Sequence, residues 1–551
     1  DITLLGTGQG SGTNNDDIEI ADGELSTNQG TADIEMTFDA LDLQGGFTLS
    51  VTGDIALKPL TAGADINLGD GAAATGFYFD QAALAQFFGA ITTGRLVIGD
   101  ATNGSGATVD IDTIDLDLVP TLEVIGGTTT VQGLTNIAGN VPVVTSLTGD
   151  LTFIEDDVSD AVGETILSDL KTNFTTEEGD LIFQTENPAT AIGIAGGAGT
   201  YTFSEADLSG FSQIAGNLII GDKENAAGVV NINALDLTGE TYGFGVYGTS
   251  INIAGNIDSG GDLALGADSF TAGAFTLSAF NDLMIQPITD ATNINIDADG
   301  DSLLFGAVHQ LNLSQLDAAG SGFGLLSIGD SDNASGTVTL DTDWDMTGDG
   351  YGIALFGDTL DIGVGNDLTG HINIVLGFDN FSVNADITTG VTGGMIIRPM
   401  TESADIAIDG AAGVSGTLDF GGAGNAVDFS NIVISGEDEI FQIGDIDAGT
   451  GAVTVANNFD VTEFDNFEVV GGSVVASDII NVTDRRLSFI ARTGDATISD
   501  ITMTNTDTVD RNFSVRAAGN IELDNINIDA LAGTGHVDVL VQADYDGDQD
   551  G

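Results

Sequence analysis

The sequence predicts an all-β chain, a parallel β-helix (β-solenoid) built of about four ~110-residue repeat units, with a few short helices at coil corners. Three observations carry this prediction. Segments such as 34–38 (IEMTF), 107–111 (ATVDI) and 229–233 (VVNIN) alternate apolar with polar residues at the two-residue period of a strand. Between them sit clusters of Gly, Asn and Asp, residues that tolerate left-handed backbone at turns, and 78 glycines accompany only 6 prolines. Scarce proline suits interior stacked strands, each of which needs its N–H for the ladder. The third observation is repetition at a long period.

The block Gly94–Asp100 (GRLVIGD), with Asn103 and Gly106–Ile111 (GATVDI) after it, returns as Gly216–Asp222 (GNLIIGD) with Asn225 and Gly228–Ile232 (GVVNI). It returns again as Gly324–Asp330 (GLLSIGD) with Asn333 and Gly336–Leu340 (GTVTL), and in degenerate form as Ile440–Asp445 (IFQIGD) with Gly451–Val455 (GAVTV). The Ile-Gly-Asp triplets lie 122, 108 and 115 residues apart. A second marker precedes three of them, as Leu57–Thr61 (LKPLT), Ile285–Thr289 (IQPIT) and Ile397–Thr401 (IRPMT), with Pro188 a weak match in the remaining unit.

These markers divide the chain into acidic N-terminal coils (1–54), repeat units at 55–180, 181–282 and 283–394, a degenerate fourth unit at 395–478, and C-terminal coils (479–551). No Pro/Ser-rich linker separates the units, so a solenoid in which each coil buries the apolar face of the last fits better than separate closed domains. Coils of ~20–25 residues give roughly 25 turns. Helical periodicity is brief: 77–89 (FYFDQAALAQFFG) and 203–215 (FSEADLSGFSQIA) predict short helices. Ser204 with Asp207, and Ser314 with Asp317, have capping-box spacing with Asp in place of Glu.

Composition excludes whole classes of function. The chain holds 85 acidic and 10 basic residues, a formal charge of −75. Such a polyanion is repelled by phosphate, so neither nucleic acid nor an anionic lipid surface is a partner. Hydrophobic residues make up 42%, a globular share that argues for a packed core rather than disorder. Cysteine is absent, which removes disulfides, thiol catalysis and cysteine-ligated metals, and favours an exported prokaryotic protein. No apolar run reaches the ~18 residues of a spanning helix. Opening at Asp1 without a signal peptide or initiator Met, the chain reads as a processed or excised piece.

The Gly-x-Leu-x-Ile-Gly-Asp-x-x-Asn-x-x-Gly block, its Phe203–Leu208 lead-in (FSEADL) and the Gly-bounded strands resemble the repeats of giant bacterial exoproteins, the filamentous-haemagglutinin-like β-helical adhesins. The resemblance spans residues 55–478. It implies a right-handed parallel β-helix exported to the cell surface as a stalk, adhesin or fibre component, with surface glycans or other cells as partners. An Asn-Pro-Asn-Gly secretion motif is missing, a departure that leaves the export route open. The family pattern supplies no catalytic residues.

Two readings stand for the Ile-Gly-Asp aspartates. Asp100, Asp222, Asp330 and Asp445, with Asp332 and Asp447 as second carboxylates in two copies, could offer hard oxygen ligands to calcium, or simply cap the turn backbone. Asp546–Gly551 (DGDQDG) reproduces the start of a calcium loop through Asp546, Asp548 and Asp550, extended by Asp544, but lacks a twelfth-position Glu, so it reads either as a calcium module cut short or as a merely acidic tail. Calcium is the one cofactor implied.

Charge is unevenly distributed as well. Residues 1–57 hold eleven acids and no Lys or Arg, whereas Arg485, Arg486, Arg492, Arg511 and Arg516 are half of the basic residues in the chain. This cluster is a candidate assembly surface for the acidic end of a second copy in head-to-tail filaments, or for neighbouring coils of a longer exoprotein. His309, His371 and His536 have no local partner motif, and no Gly-x-Ser-x-Gly elbow is present, so no catalytic residues are assigned. The reading is a non-catalytic extracellular structural or adhesive protein, a cell-surface stalk or filament subunit; the alternative is a polysaccharide-active β-helix lyase or hydrolase. Similarity around every unit favours the first, because an active site needs one unit to differ.

Overall fold

Alternation at period two becomes burial at period two. In Ile34–Phe38 the residues Ile34, Met36 and Phe38 are sealed inside while Glu35 and Thr37 stay half-buried. The computed structural model describes residues 2–5, 18–20, 24–26, 33–38, 41–43, 48–61, 63–69, 72, 77–88, 90–91, 95–99, 108–112, 122–126, 128–132, 143–146, 150–154, 174–176, 179–185, 187–211, 214–223, 228–271, 273–289, 291–305, 308–317, 324–331, 336–401, 403–409, 417–419, 426–435, 439–445, 451–456, 459–461, 464–479, 482–506, 508–530 and 535–543. They form two compact units, Asp1–Ala264 and Leu265–Gly551, each a stack of parallel coils. The predicted all-β solenoid is the fold.

In the first unit one parallel ladder runs through Ile2–Leu5, Ile34–Phe38, Ile55–Pro59, Leu96–Gly99, Leu122–Gly126, Val143–Ser146 and Phe174–Thr176. Its register stacks Ile2, Ile34, Ile55, Leu96 and Leu122 in one column. A second ladder carries Thr108–Asp112, Thr128–Gln132, Leu151–Ile154, Leu181–Gln184, Asn217–Ile220 and Gly243–Tyr247.

The second unit repeats the plan. Leu283–Gln286, Leu325–Ile328, Gly352–Ile362, Ile374–Val383, Met395–Arg398, Ile440–Ile443, Asn466–Gly471, Arg486–Ala491, Arg511–Ala517 and Val537–Ala543 stack in parallel. The column Leu283, Leu326, Ile353, Ile374, Met395, Phe441, Phe467, Leu487 and Phe513 is at most 1% exposed throughout. Phe441 and Phe467 of this column interlock with Phe429, Phe459 and Phe464 beside it, with ring centroids 4.6–6.4 Å apart.

Coil length explains the long period. From Leu283 the next in-register residue is Leu326, then Ile353, Ile374 and Met395, so four coils fill one repeat and the first of them spends 43 residues. The matching coils elsewhere span Ile55 to Leu96, Leu181 to Leu218, and Met395 to Phe441. The described residues therefore make about 16 turns rather than roughly 25, because each repeat devotes one coil to an excursion.

In the first unit the excursion adds a parallel strand and a helix: Phe77–Phe79 with Gln81–Phe88, and Tyr201–Phe203 with Glu205–Leu208. In the second it adds two antiparallel strands and a 3-10 turn: Ser302–Phe305, Val308–Leu311 and Leu313–Gln315, then Thr417–Asp419, Ala426–Asp428 and Phe429–Asn431.

Both expected helices exist but are shorter than the pattern suggested. Phe77–Phe79 is strand because Phe77 and Phe79 enter the core on alternate positions. The capping box of Ser204 and Asp207 forms as predicted, while the side chain of Asp317 lies outside the described residues. Ser314 gives its N–H and hydroxyl to Asp301, and the Gln315 side chain accepts the Asn312 N–H at 3.0 Å.

Truncation in the phenylalanine cluster tests how much the stack depends on its core. Phe467→Ala should cost about 3–5 kcal/mol in denaturant unfolding. Val475→Ala, on the exposed face of Ser473–Ala476, should stay within about 0.5 kcal/mol of the parent.

Candidate functional site

The two markers, some 40 residues apart in sequence, are neighbours across one coil step. Leu57 stacks on Ile98, Phe183 on Ile220, Ile285 on Ile328 and Ile397 on Ile443. At the corner after each second residue the Gly of Ile-Gly-Asp turns the chain. Gly99, Gly221, Gly329 and Gly444 have φ of +107°, +98°, +98° and +95°. A Cβ on any of them would fall on a carbonyl oxygen of the following coil, that of Ile125, Tyr247, Phe356 or Val470. Three of these glycines also donate N–H to the preceding coil, Gly221 to Phe183, Gly329 to Ile285 and Gly444 to Ile397. The motif is thus a backbone corner held from above and below.

The aspartate that follows is drawn inward. Asp330 and Asp445 are nearly buried and Asp222 is half-buried. Asp445 accepts a charge-assisted hydrogen bond from Arg398 of the Pro marker, whose guanidinium lies 5.3 Å from the Phe356 ring centroid. The threonine of that marker is equally engaged. Thr289 gives its N–H and hydroxyl to the Asp268 carboxylate at 2.8 and 2.5 Å, and Thr401 does the same to Asp379 at 2.8 and 2.6 Å.

Carboxylates elsewhere repeat this use. Asp33 accepts the N–H of Asp54, and Asp54 that of Arg95. Asp150 accepts the N–H of Asp180, and Asp180 that of Asn217. Asp343 accepts from Asp367, and Asp367 from Asp386. Each carboxylate caps the strand start one coil further on. Burial pushes the Asp180 carboxyl above its ordinary range despite the Asn217 N–H, and the neighbouring Asp150 charge adds to the shift.

Of the residues proposed for calcium, Asp100, Asp332, Asp447, Asp544, Asp546, Asp548 and Asp550 lie outside the described residues. Among the described residues no group of three or more His, Asp or Glu side chains is gathered in a way that could hold a metal ion. The arginines fall on two successive coils: Arg485 and Arg486 open one, Arg492 closes its strand, and Arg511 and Arg516 belong to the next. Arg485 reaches Asp465 at 2.6 Å and Arg511 is nearly buried. His371 gives its ring N–H to the Thr347 carbonyl at 2.6 Å.

A third recurring motif went unread in the sequence. Asp236–Gly243 (DLTGETYG) and Asp345–Gly352 (DMTGDGYG) match at Asp, Thr, Gly, Tyr and Gly. Asp236 and Asp345 are held below the ordinary carboxyl range, the first mainly by the Thr238 hydroxyl and the second mainly by the Thr347 N–H. The tyrosines reach back a coil, Tyr242 to the Leu208 carbonyl and Tyr351 to that of Leu316 at 3.3 Å. Burial raises the Tyr242 hydroxyl pKa, so the group stays a proton donor. A search for the Tyr-Gly pair at the repeat spacing would have found it. Comparison with protein-family models, with curated proteins and with solved structures gives no match.

Two measurements follow from this geometry. Gly329→Ala should destabilise by about 1–3 kcal/mol from left-handed strain, with the carbonyl clash added, while Gly348→Ala, where nothing lies within 4 Å, should cost little. The Asp180 carboxyl is raised in the folded state, so ionising it opposes folding and its contribution weakens as pH rises through the acid range. Asp180→Asn keeps an acceptor for Asn217 and removes the charge. The variant should gain stability relative to the parent between acid and neutral pH in parallel thermal melts; parallel curves would show that the carboxyl is not perturbed.

Proposed function

We propose that the chain is a non-catalytic structural protein of the prokaryotic cell exterior, a section of a stalk or filament. The observation that supports this reading most is how the repeated residues are spent. The corner glycines, the marker threonines, the strand-start aspartates and the tyrosines all bind a neighbouring coil. Polar groups committed to stacking in repeat after repeat, at Thr289 and Thr401 and at Tyr242 and Tyr351, suit a protein whose task is to persist as a stack. A polysaccharide-cleaving solenoid would instead hold one set of carboxylates and bases apart for substrate. A net charge of −75 keeps such a surface solvated in an ion-rich exterior. The likeness to exoprotein repeats points the same way.

Antibody raised against the purified chain tests location and role together. Intact source cells should label at the surface, and the label should be lost after external protease. Labelling that needs permeabilised cells, or release of new reducing ends when the purified chain is incubated with acidic polysaccharides, would overturn the reading.

A further inference from the structure

We propose that the corner of Gln286 and Asp330 binds a small monovalent metal ion, sodium or potassium, in the place that an arginine side chain fills one repeat later.

The two corners are built alike. Ile285 stacks on Ile328 and Ile397 on Ile443, so Gln286 and Arg398 fall opposite Gly329 and Gly444. Each glycine gives its N–H to the isoleucine carbonyl, at 3.0 and 2.8 Å. Further along the same turn Thr289 and Thr401 close on Asp268 and Asp379. The aspartate after each glycine is nearly buried, Asp330 being 7% and Asp445 8% exposed. One position differs. Arg398 places its guanidinium on the Asp445 carboxylate, whereas the preceding repeat carries the neutral amide of Gln286 at that place.

That amide is the unusual group. Gln286 is 1% exposed, and among the described residues neither its Oε1 nor its Nε2 has a hydrogen-bond partner. Two polar atoms sealed away in this manner cost free energy that a bound guest would recover. Arg398 shows where a long side chain at this place runs, which is to the corner carboxylate. An amide sent the same way brings an uncharged oxygen beside Asp330. A carboxylate oxygen and an amide oxygen are hard ligands, suited to alkali and alkaline-earth ions and not to soft metals. Charge then selects between those two classes. The guanidinium sets one positive charge against one carboxylate, and a sodium or potassium ion does the same. A divalent ion on a single carboxylate would leave net charge buried. A water carried by the ion accepts the Nε2–H.

The test melts the full chain in sodium, potassium and tetramethylammonium chloride at equal ionic strength, which holds the screening of the −75 charge constant. Tetramethylammonium is too large to enter the corner and has no open coordination position. The parent should melt about 2–4 °C higher in sodium or potassium than in tetramethylammonium, and the increment should saturate with concentration. Gln286→Arg supplies the cation covalently, so it should lose that increment and melt above the parent in tetramethylammonium. If Gln286→Arg does not fold, Gln286→Met decides, because it keeps the length of the side chain, removes the amide oxygen and should also lose the increment. A parent with no increment overturns the proposal. So does a full increment in the folded variant, which would mean that alkali ions act on the acidic surface at large.

Discussion

A parallel coil stack sets each side chain on its counterpart one turn away, ~4.8 Å along the ladder. Everything else in the two units follows from that constraint. For apolar residues it is favourable, and the column from Leu283 to Phe513 shows side chains of different shape sharing one dry track. For charged residues it is adverse, because a carboxylate is placed over a carboxylate. Asp343 and Asp367 show how the chain manages this: each carboxylate accepts the backbone N–H at the start of the next strand, that of Asp367 and that of Asp386. A carboxylate satisfied by backbone donors needs no lysine or arginine beside it. The lopsided composition therefore reflects the geometry of strand starts, with surface solubility as a second result.

The same constraint decides what could be read from the sequence. Period-two alternation, the recurrence of Ile-Gly-Asp and the scarcity of proline each report directly on stacked strands. The solenoid was legible for that reason. Coil number was not, because the excursions at Phe77–Phe88, Tyr201–Leu208 and their counterparts in the second unit alternate apolar residues as regular coils do. The partner of Ser314 was not legible because capping-box spacing says nothing about Asp301, thirteen residues away, which accepts hydrogen bonds from both its N–H and its hydroxyl.

The candidate sites were less legible still. Asp in a Gly-rich turn serves a calcium ion and a backbone N–H with the same atoms, and spacing alone does not separate the two uses. Geometry around Asp445 gives it a guanidinium, and around Asp268 and Asp379 a threonine. The tyrosine motif escaped notice because its meaning lies in a contact more than thirty residues back, at Leu208 and Leu316. Long-range pairs of this kind leave no local periodicity.

Coils that resemble one another can stack out of step, and a parallel array has few local features to penalise a slip of one turn. The corner glycines supply one. A left-handed position under a close carbonyl accepts no other L residue without strain, and it recurs only once in four coils: Gly329 is followed at equivalent corners by Phe356 and Gly377, then Arg398, before Gly444 restores it. A coil shifted by one turn would carry Phe356 into the place shaped for Gly329. The glycine thus acts as an index mark during folding, distinguishing the correct alignment from slips that would bring Phe356 or Arg398 to that corner.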